Sequence, residues 1–246
     1  MRGLMKPKSR IQSIALTGAI LFGAAPAIGQ EAPSRISWAP SYSGSCVDCS
    51  LVGRNMSGWN VSKANYPGAD LTAANLRRAQ AHDANFSGVQ AAGADLRLGD
   101  FTGASFEEAI LVGARMQGAS FNNAKMAGVV LNAANLSDGK FIGATLTGAQ
   151  MQSATVHDSD FSAATLSEAV LSAADLTGSV FDNTVLINAD LASANVTNAS
   201  FRDVRFSGAN LETAIGIETA NFEGACASEN TRLPTGFSLP VCIEQD

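Results

Sequence analysis

From Tyr66 to Leu211 every fifth residue is Leu, Phe, Met, Val, Tyr or Ala, thirty positions without a gap. A second beat runs two residues ahead of the first, from Ala64 to Ala214. Twenty-three of its thirty-one positions are Ala; the others are Val89, Gly99, Val129, Gly139, Ser159, Ser179, Thr184 and Val204. The remaining three residues of each five are mostly Asn, Asp, Ser, Thr, Gly, Gln or Arg. A fixed internal period of this kind dictates the architecture before any element is assigned. A five-residue beat walks around a helix of 3.6 residues per turn and never forms a stripe. A plain strand alternates every two residues and fails as well. What fits is a strand of about three residues whose first and third side chains point inward, followed by a short corner onto the next side.

Phe101, Phe121, Phe141, Phe161, Phe181 and Phe201 stand twenty residues apart. With four sides to a coil, residues twenty apart stack directly, and these six form a ladder on one side. A second side reads Leu51, Leu71, Ala91, Leu111, Leu131, Met151, Leu171, Leu191 and Leu211; a third reads Met56, Leu76, Leu96, Met116, Leu136, Val156, Leu176 and Val196. The fourth is mixed: Tyr66, Phe86, Phe106, Met126, Leu146, Leu166, Leu186 and Phe206. A triangular coil would repeat every fifteen residues and scatter the phenylalanines over all its sides. The pattern therefore predicts an all-β, square, parallel coil climbing about 4.8 Å per circuit. Roughly eight or nine coils make a rod about 40 Å long. A solenoid grows in one dimension, so the coil is one domain whatever its length.

Ala69-Asp70-Leu71, Ala74-Asn75-Leu76, Ala94-Asp95-Leu96, Ala134-Asn135-Leu136, Ala174-Asp175-Leu176 and Ala189-Asp190-Leu191 repeat one motif, Ala-(Asp/Asn)-Leu-X-X. The chain resembles the pentapeptide repeat family over residues 46–225, and specifically its exported bacterial members. The resemblance implies a right-handed quadrilateral β-helix; the hand comes from the family and not from the spacing.

The ends carry the other signals. Arg2, Lys6, Lys8 and Arg10 precede an uncharged apolar stretch from Ile11 to about Ile28, and small residues follow in GAAPAIGQ. This reads as a cleavable export signal over 1–29, cut after Ala27 or Gly29, which places the product in the periplasm or outside the cell; the alternative reading is an uncleaved membrane anchor. No later segment is apolar enough to span a bilayer. Residues 30–45 are too irregular for the coil. Residues 226–246, with two prolines in TRLPTGFSLPVC, read as an extended tail across its far end. Cysteines occur only at the two ends: Cys46 and Cys49 where the repeats begin, Cys226 and Cys242 in the tail. In an exported chain a Cys226–Cys242 disulfide is the natural reading. Cys46 and Cys49 fall on inward slots, as a disulfide or as buried thiols.

Catalysis needs convergent groups, and here polar residues sit on diverging outward ladders. His82 and His157 follow core positions at corners on different sides and read as solvated. The pairs Glu107–Glu108 and Asp158–Asp160 read as solvated surface. Triplets such as those at Asn85, Asn135 and Asn195 arise wherever the motif precedes Ser or Thr, and are weak glycosylation signals. The sequence predicts no catalytic residues, no cofactor and no metal site, and hence no enzyme. Removing four basic residues with the signal takes the net charge from −6 to −10. That disfavours nucleic acid and anionic membrane as partners.

Two surface features stand out. No Lys or Arg lies between Lys140 and Arg202, while Asp158, Asp160, Glu168, Asp175, Asp182 and Asp190 do. On the Leu51–Leu211 side the outward position is apolar at Ile110, Val130 and Val170, with Val112 beside it. This row is the candidate docking face for a partner protein, with room for a homodimer; the alternative reading is ordinary β-propensity on a strand. The reading is a non-enzymatic exported rod serving as an interaction or structural module. The resemblance supplies an alternative: cytosolic members mimic duplex DNA, bind type II topoisomerases and protect them from quinolones. Export argues against it. So does charge, because duplex DNA presents about two dozen charges over a length of about 40 Å. Those members also dimerise through an apolar helix after the last coil, and residues 226–246 lack a helical apolar pattern.

Overall fold

The chain divides into two units, Met1–Ala32 and Pro33–Asp246. The computed structural model describes residues 44–243. The signal segment 1–29 and all but the last two residues of the irregular segment 30–45 lie outside the described residues.

Every fifth residue from Asp48 to Gly208 is left-handed, with φ running from 49° at Asp48 to 71° at Gly208. Of these thirty-three positions thirteen are Gly, five are Asp and four are Asn, the residue types for which this region costs least. Nearly every corner closes when the small residue's N–H donates to the carbonyl of the preceding large one, as Ala74 does to Leu71 at 2.9 Å; at Ser159 the N–H donates to Ser179 Oγ instead. Positive φ at the third of four residues makes this a type II turn.

The straight segments join in parallel with a register of twenty. Ser45 bridges Asn65, Asn65 bridges Asn85, and the same step holds through Asn195 and Ile215. Four five-residue segments therefore complete each circuit, which is the square coil and excludes the triangular one. The backbone hydrogen bonds repeat from five to five. Leu71 N donates to Gln90 O at 2.6 Å, Ala73 N to Ala92 O at 2.9 Å, and Gln90 N to Ala69 O at 3.0 Å. The first corner residue is left over, and the motif's Asp or Asn takes it: Thr72 N donates to Asp70 Oδ1 at 3.0 Å and Ser137 N to Asn135 Oδ1 at 3.0 Å. At three corners a side chain one coil earlier supplies the oxygen instead, as Asn122 Oδ1 does for Ile142 N at 3.1 Å. The polar letter of the motif is thus a backbone cap.

Both inward beats are buried from Val61 to Leu211. The Phe ladder stacks as expected, its tightest rung between Phe141 and Phe161 with centroids 4.5 Å apart and planes at 4°. Tyr66, Phe86 and Phe106 form a second stack beside it. Gly99 and Gly139 fill the small slot before a Phe, where an added Cβ would come within 2.5 and 2.8 Å of the ring. Ser159, Ser179 and Thr184 occupy small slots with their hydroxyls donating to the carbonyls of Leu136, Val156 and Phe161, so no buried hydroxyl there is left unpaired.

Beyond Ile215 the register slips. Ser200 bridges Asn221, Arg205 bridges Cys226 and Asn210 bridges Arg232, placing one extra residue between Ile215 and Asn221 and a second between Cys226 and Arg232. Phe222 nonetheless continues the ladder on Phe201 at 5.2 Å, and Phe237 packs on Phe222 at 4.9 Å. The coil's pairing accordingly runs past residue 225 into the segment read as a tail. Only after Arg232 does the chain fold back, with Val241 bridging Ala227. Cys226 and Cys242 lie at disulfide distance with Cα atoms 4.8 Å apart, and so do Cys46 and Cys49, with Cα atoms 5.4 Å apart.

Candidate interaction surfaces

The interior is side chain, so chemistry is left to the four walls and the corners. On the walls, residues twenty apart meet. Asn85 Nδ2 donates to Asn65 Oδ1 at 2.8 Å, and Asn210 Nδ2 to Asp190 Oδ1 at 2.8 Å. These ladders fix outward side chains in rows about 4.8 Å apart.

Ile110, Val130 and Val170 fall in one such row. Ile110 bridges Val130, Val130 bridges Gln150 and Gln150 bridges Val170, so Gln150 interrupts the apolar run. Ile110, Val130 and Val170 are half-buried by their neighbours, while Val112, at the next corner, is 40% exposed.

At the corners, charged groups meet. Asp95 stands at an outward position yet is 5% exposed. Arg97 closes over it with Nε on Oδ1 at 2.8 Å and Nη2 on Oδ2 at 2.7 Å, and Arg115 from the next coil adds Nη2 at 3.2 Å. The hydrogen bond from Arg97 holds the Asp95 carboxyl below its ordinary range against the opposing effect of burial. Asp182 is built alike: Arg202, one coil on, donates Nε to Oδ2 at 2.8 Å and also Nη2, and Ser200 Oγ reaches Oδ1 at 2.5 Å. Burial pushes the Asp182 carboxyl up, but hydrogen bonds from Arg202 and Ser200 outweigh it and the net shift is downward.

His82 and His157 are only partly solvated. His82 Nε2 lies 3.0 Å from Asp100 Oδ2 and His157 Nε2 lies 2.6 Å from Asp175 Oδ2. Each aspartate also accepts from a threonine two residues on, Thr102 Oγ1 at 2.7 Å and Thr177 Oγ1 at 2.6 Å. Sequence reasoning missed both pairs. Their signal is a spacing of eighteen, which joins a corner to the wall of the coil above. The aspartate is thereby bound to both His and Thr, and neither imidazole has a nucleophile on its other nitrogen among the contacts of the described residues. The structure does not bring His82 and His157 together. Among the described residues no three of His, Cys, Asp and Glu are grouped to hold a metal ion. No helix among them is long and apolar enough to cross a membrane.

A cleft of about 760 Å³ opens where the register slips, lined by Ile215, Gly216, Ile217, Pro234, Gly236 and Phe237. Its walls are mostly apolar, and no titratable pair converges in it.

With this geometry in place, the comparisons agree with it. A family model described as pentapeptide repeats (8 copies) matches residues 55–97, and one described as a pentapeptide repeat region matches residues 114–189. The chain belongs to the pentapeptide repeat proteins. The solved structure of full-length QnrB1, a plasmid-mediated fluoroquinolone resistance protein, is similar at a TM-score of 0.50 and 16% identity, covering 77% of this chain and 94% of that one. HetL from the cyanobacterium Nostoc sp., a pentapeptide repeat protein involved in heterocyst differentiation regulation, has a TM-score of 0.42 at 23% identity, over 79% of this chain and 89% of that one. A pentapeptide repeat protein of the Arabidopsis thaliana thylakoid lumen has a TM-score of 0.23 at 28% identity, over 48% of this chain and 65% of its own. At these values the QnrB1 likeness speaks for the fold alone and the other two carry no argument. Comparison with curated proteins gives no match.

Proposed function

We propose that this protein is a non-enzymatic, exported rod of about nine right-handed coils that presents its walls to a partner protein or to a structural assembly. The observation that carries this reading is the division of labour inside each five-residue unit. Two side chains fill the core, one caps the backbone, and the two corner residues face solvent, as in Ala74, Asn75, Leu76, Arg77 and Arg78. Such a unit leaves nothing converging on a substrate and much that is flat and rigid. A preordered surface loses little entropy on binding, which is what an interaction module needs. Export rests on the basic residues and apolar stretch of 1–29, and agrees with two cysteine pairs at disulfide distance.

The docking face is the Ile110–Val170 row with Val112. Half-buried valines in a flat row offer apolar area without loosening the coil. The test is Val130→Asp with Val170→Asp in one protein. Both residues point out of the wall, so the melting temperature should stay within a few degrees while recovery of the partner falls. Unchanged partner recovery would remove this face from consideration. Inhibition of DNA supercoiling by the mature protein would instead favour topoisomerase binding.

A further inference from the structure

We propose that one corner of the coil is self-complementary and pairs, antiparallel, with the same corner of a second copy of this chain, about a two-fold axis at Gly118. The corner is the one that follows Leu76, Leu96, Met116, Leu136 and Val156. Coil by coil it presents Arg77-Arg78, Arg97-Leu98, Gln117-Gly118, Ser137-Asp138 and His157-Asp158. The register of the wall before it, Asn75 to Asp95 to Arg115 to Asn135 to Thr155 to Asp175, stacks these pairs in order.

The charge along this corner reverses at Gly118. Below it lie Arg77, Arg78 and Arg97, with Asp95 as the one carboxylate held among them; Arg115 stands on the coil of Gly118 itself. Above it lie Asp138 and Asp158, and one coil further Asp175 with His157 against it. Over the two coils on either side of the centre, two net positive charges on this corner and the wall before it thus face two negative ones. On the following wall Lys140 and Asp160 bridge and offset one another, while Asp100 lies against His82. A two-fold rotation carries each coil below Gly118 onto the coil equally far above. It sets Arg78 against Asp158 of the second copy and Arg97 against Asp138, twice over. This is the isologous arrangement in which one patch supplies both halves of the contact. A single-sign strip would need a foreign partner; this one carries its own complement.

The centre supports the same reading. Leu98 is 48% exposed, one of the large apolar side chains that the described residues leave open to solvent, and it stands at a left-handed corner with φ at 58°. Its side chain leans over the next coil, so that a Cβ at Gly118 would lie 2.8 Å from Leu98 Cδ2. On the axis the two copies would bring both Leu98 side chains together over two bare glycine backbones. An apolar centre flanked by charges is how protein interfaces are built. A corner is narrow, so the pairing is weak and salt-sensitive. The proposal is independent of the Ile110–Val170 row, which lies on another wall.

Sedimentation velocity of the mature protein at low and high salt tests it. At low salt the protein should be in monomer–dimer exchange, shifted to monomer as salt rises. Arg78→Asp alone and Asp158→Arg alone should each weaken association by about tenfold or more. An equal mixture of the two should restore it, because the first protein then carries Asp at both positions and the second Arg at both. Leu98→Gly should also weaken association while melting no lower than the parent, since glycine is at ease at that φ. A monomer at low salt overturns the proposal. So does a dimer indifferent to the single variants, or a mixture that behaves as its components do.

Discussion

Asp95 occupies the same letter of the motif as Asp70, yet its environment sets it apart. Asp70 caps Thr72 and is open to solvent on one side, whereas Asp95 also carries two guanidiniums and is nearly closed off. Its folded pKa lies below the ordinary value, chiefly through the hydrogen bond from Arg97. A group whose folded pKa is depressed stabilises the fold above its unfolded pKa, and that contribution is lost as pH falls through the folded one. Asp182, lowered in the same direction, adds to the effect. Thermal melts should therefore show stability declining below about pH 4. Asp95→Asn should be less stable at neutral pH and decline less steeply in acid. Equal acid declines for the parent and the variant would contradict this account. At this scale the sequence was half legible. Asn and Asp were visible as letters of a motif, but their purpose, capping the one N–H the coil leaves over, appears only when every backbone donor is traced. The left-handed corner at Leu98 was not legible at all, because a side-chain beat reports which way residues point and is silent on φ. The His82–Asp100 and His157–Asp175 pairs follow from a spacing of eighteen once the register is known, and were missed because each histidine was weighed against its chain neighbours alone.

A coil is the element of this fold, and its stability lies in contacts with the coils above and below. Phe161 stacks on Phe141 at 4.5 Å and on Phe181 at 5.0 Å, with no exposed surface. Phe161→Ala should cost about 3–5 kcal/mol. In a solenoid the loss stays near its origin, so hydrogen exchange should speed up in residues 140–185 first and leave the flanking coils protected. Uniform loss of protection along the rod would argue for a single cooperative unit instead. The phenylalanine spacing predicted the twenty-residue register that every regular bridge obeys, because a stack of rings tolerates no slip. The far end was less readable. One added residue before Asn221 and another before Arg232 keep the backbone paired while breaking the count, so Cys226 and Arg232 join the coil although they lie in the stretch read as tail. Prolines at 234 and 240 carried more weight in that reading than the pairing they follow.

At the scale of the whole molecule, the regularity of the coil and the charge limit what the protein can do more firmly than any single residue. Its polar groups diverge, its net charge is −6, and its cysteines pair at the two ends of the coil. The proposed exported scaffold, meeting a partner through a wall and its own copy through a corner, would account for all three. Belonging to the pentapeptide repeat proteins accounts for the coil and leaves the role open, since the QnrB1 likeness extends to the fold alone. The central claim is that this rod works outside the cytoplasm. The direct measurement is to fractionate cells producing the full chain and read the N-terminus of the product. The account predicts a periplasmic or secreted protein beginning at Ile28 or Gln30. A cytosolic protein with Met1 intact would contradict it.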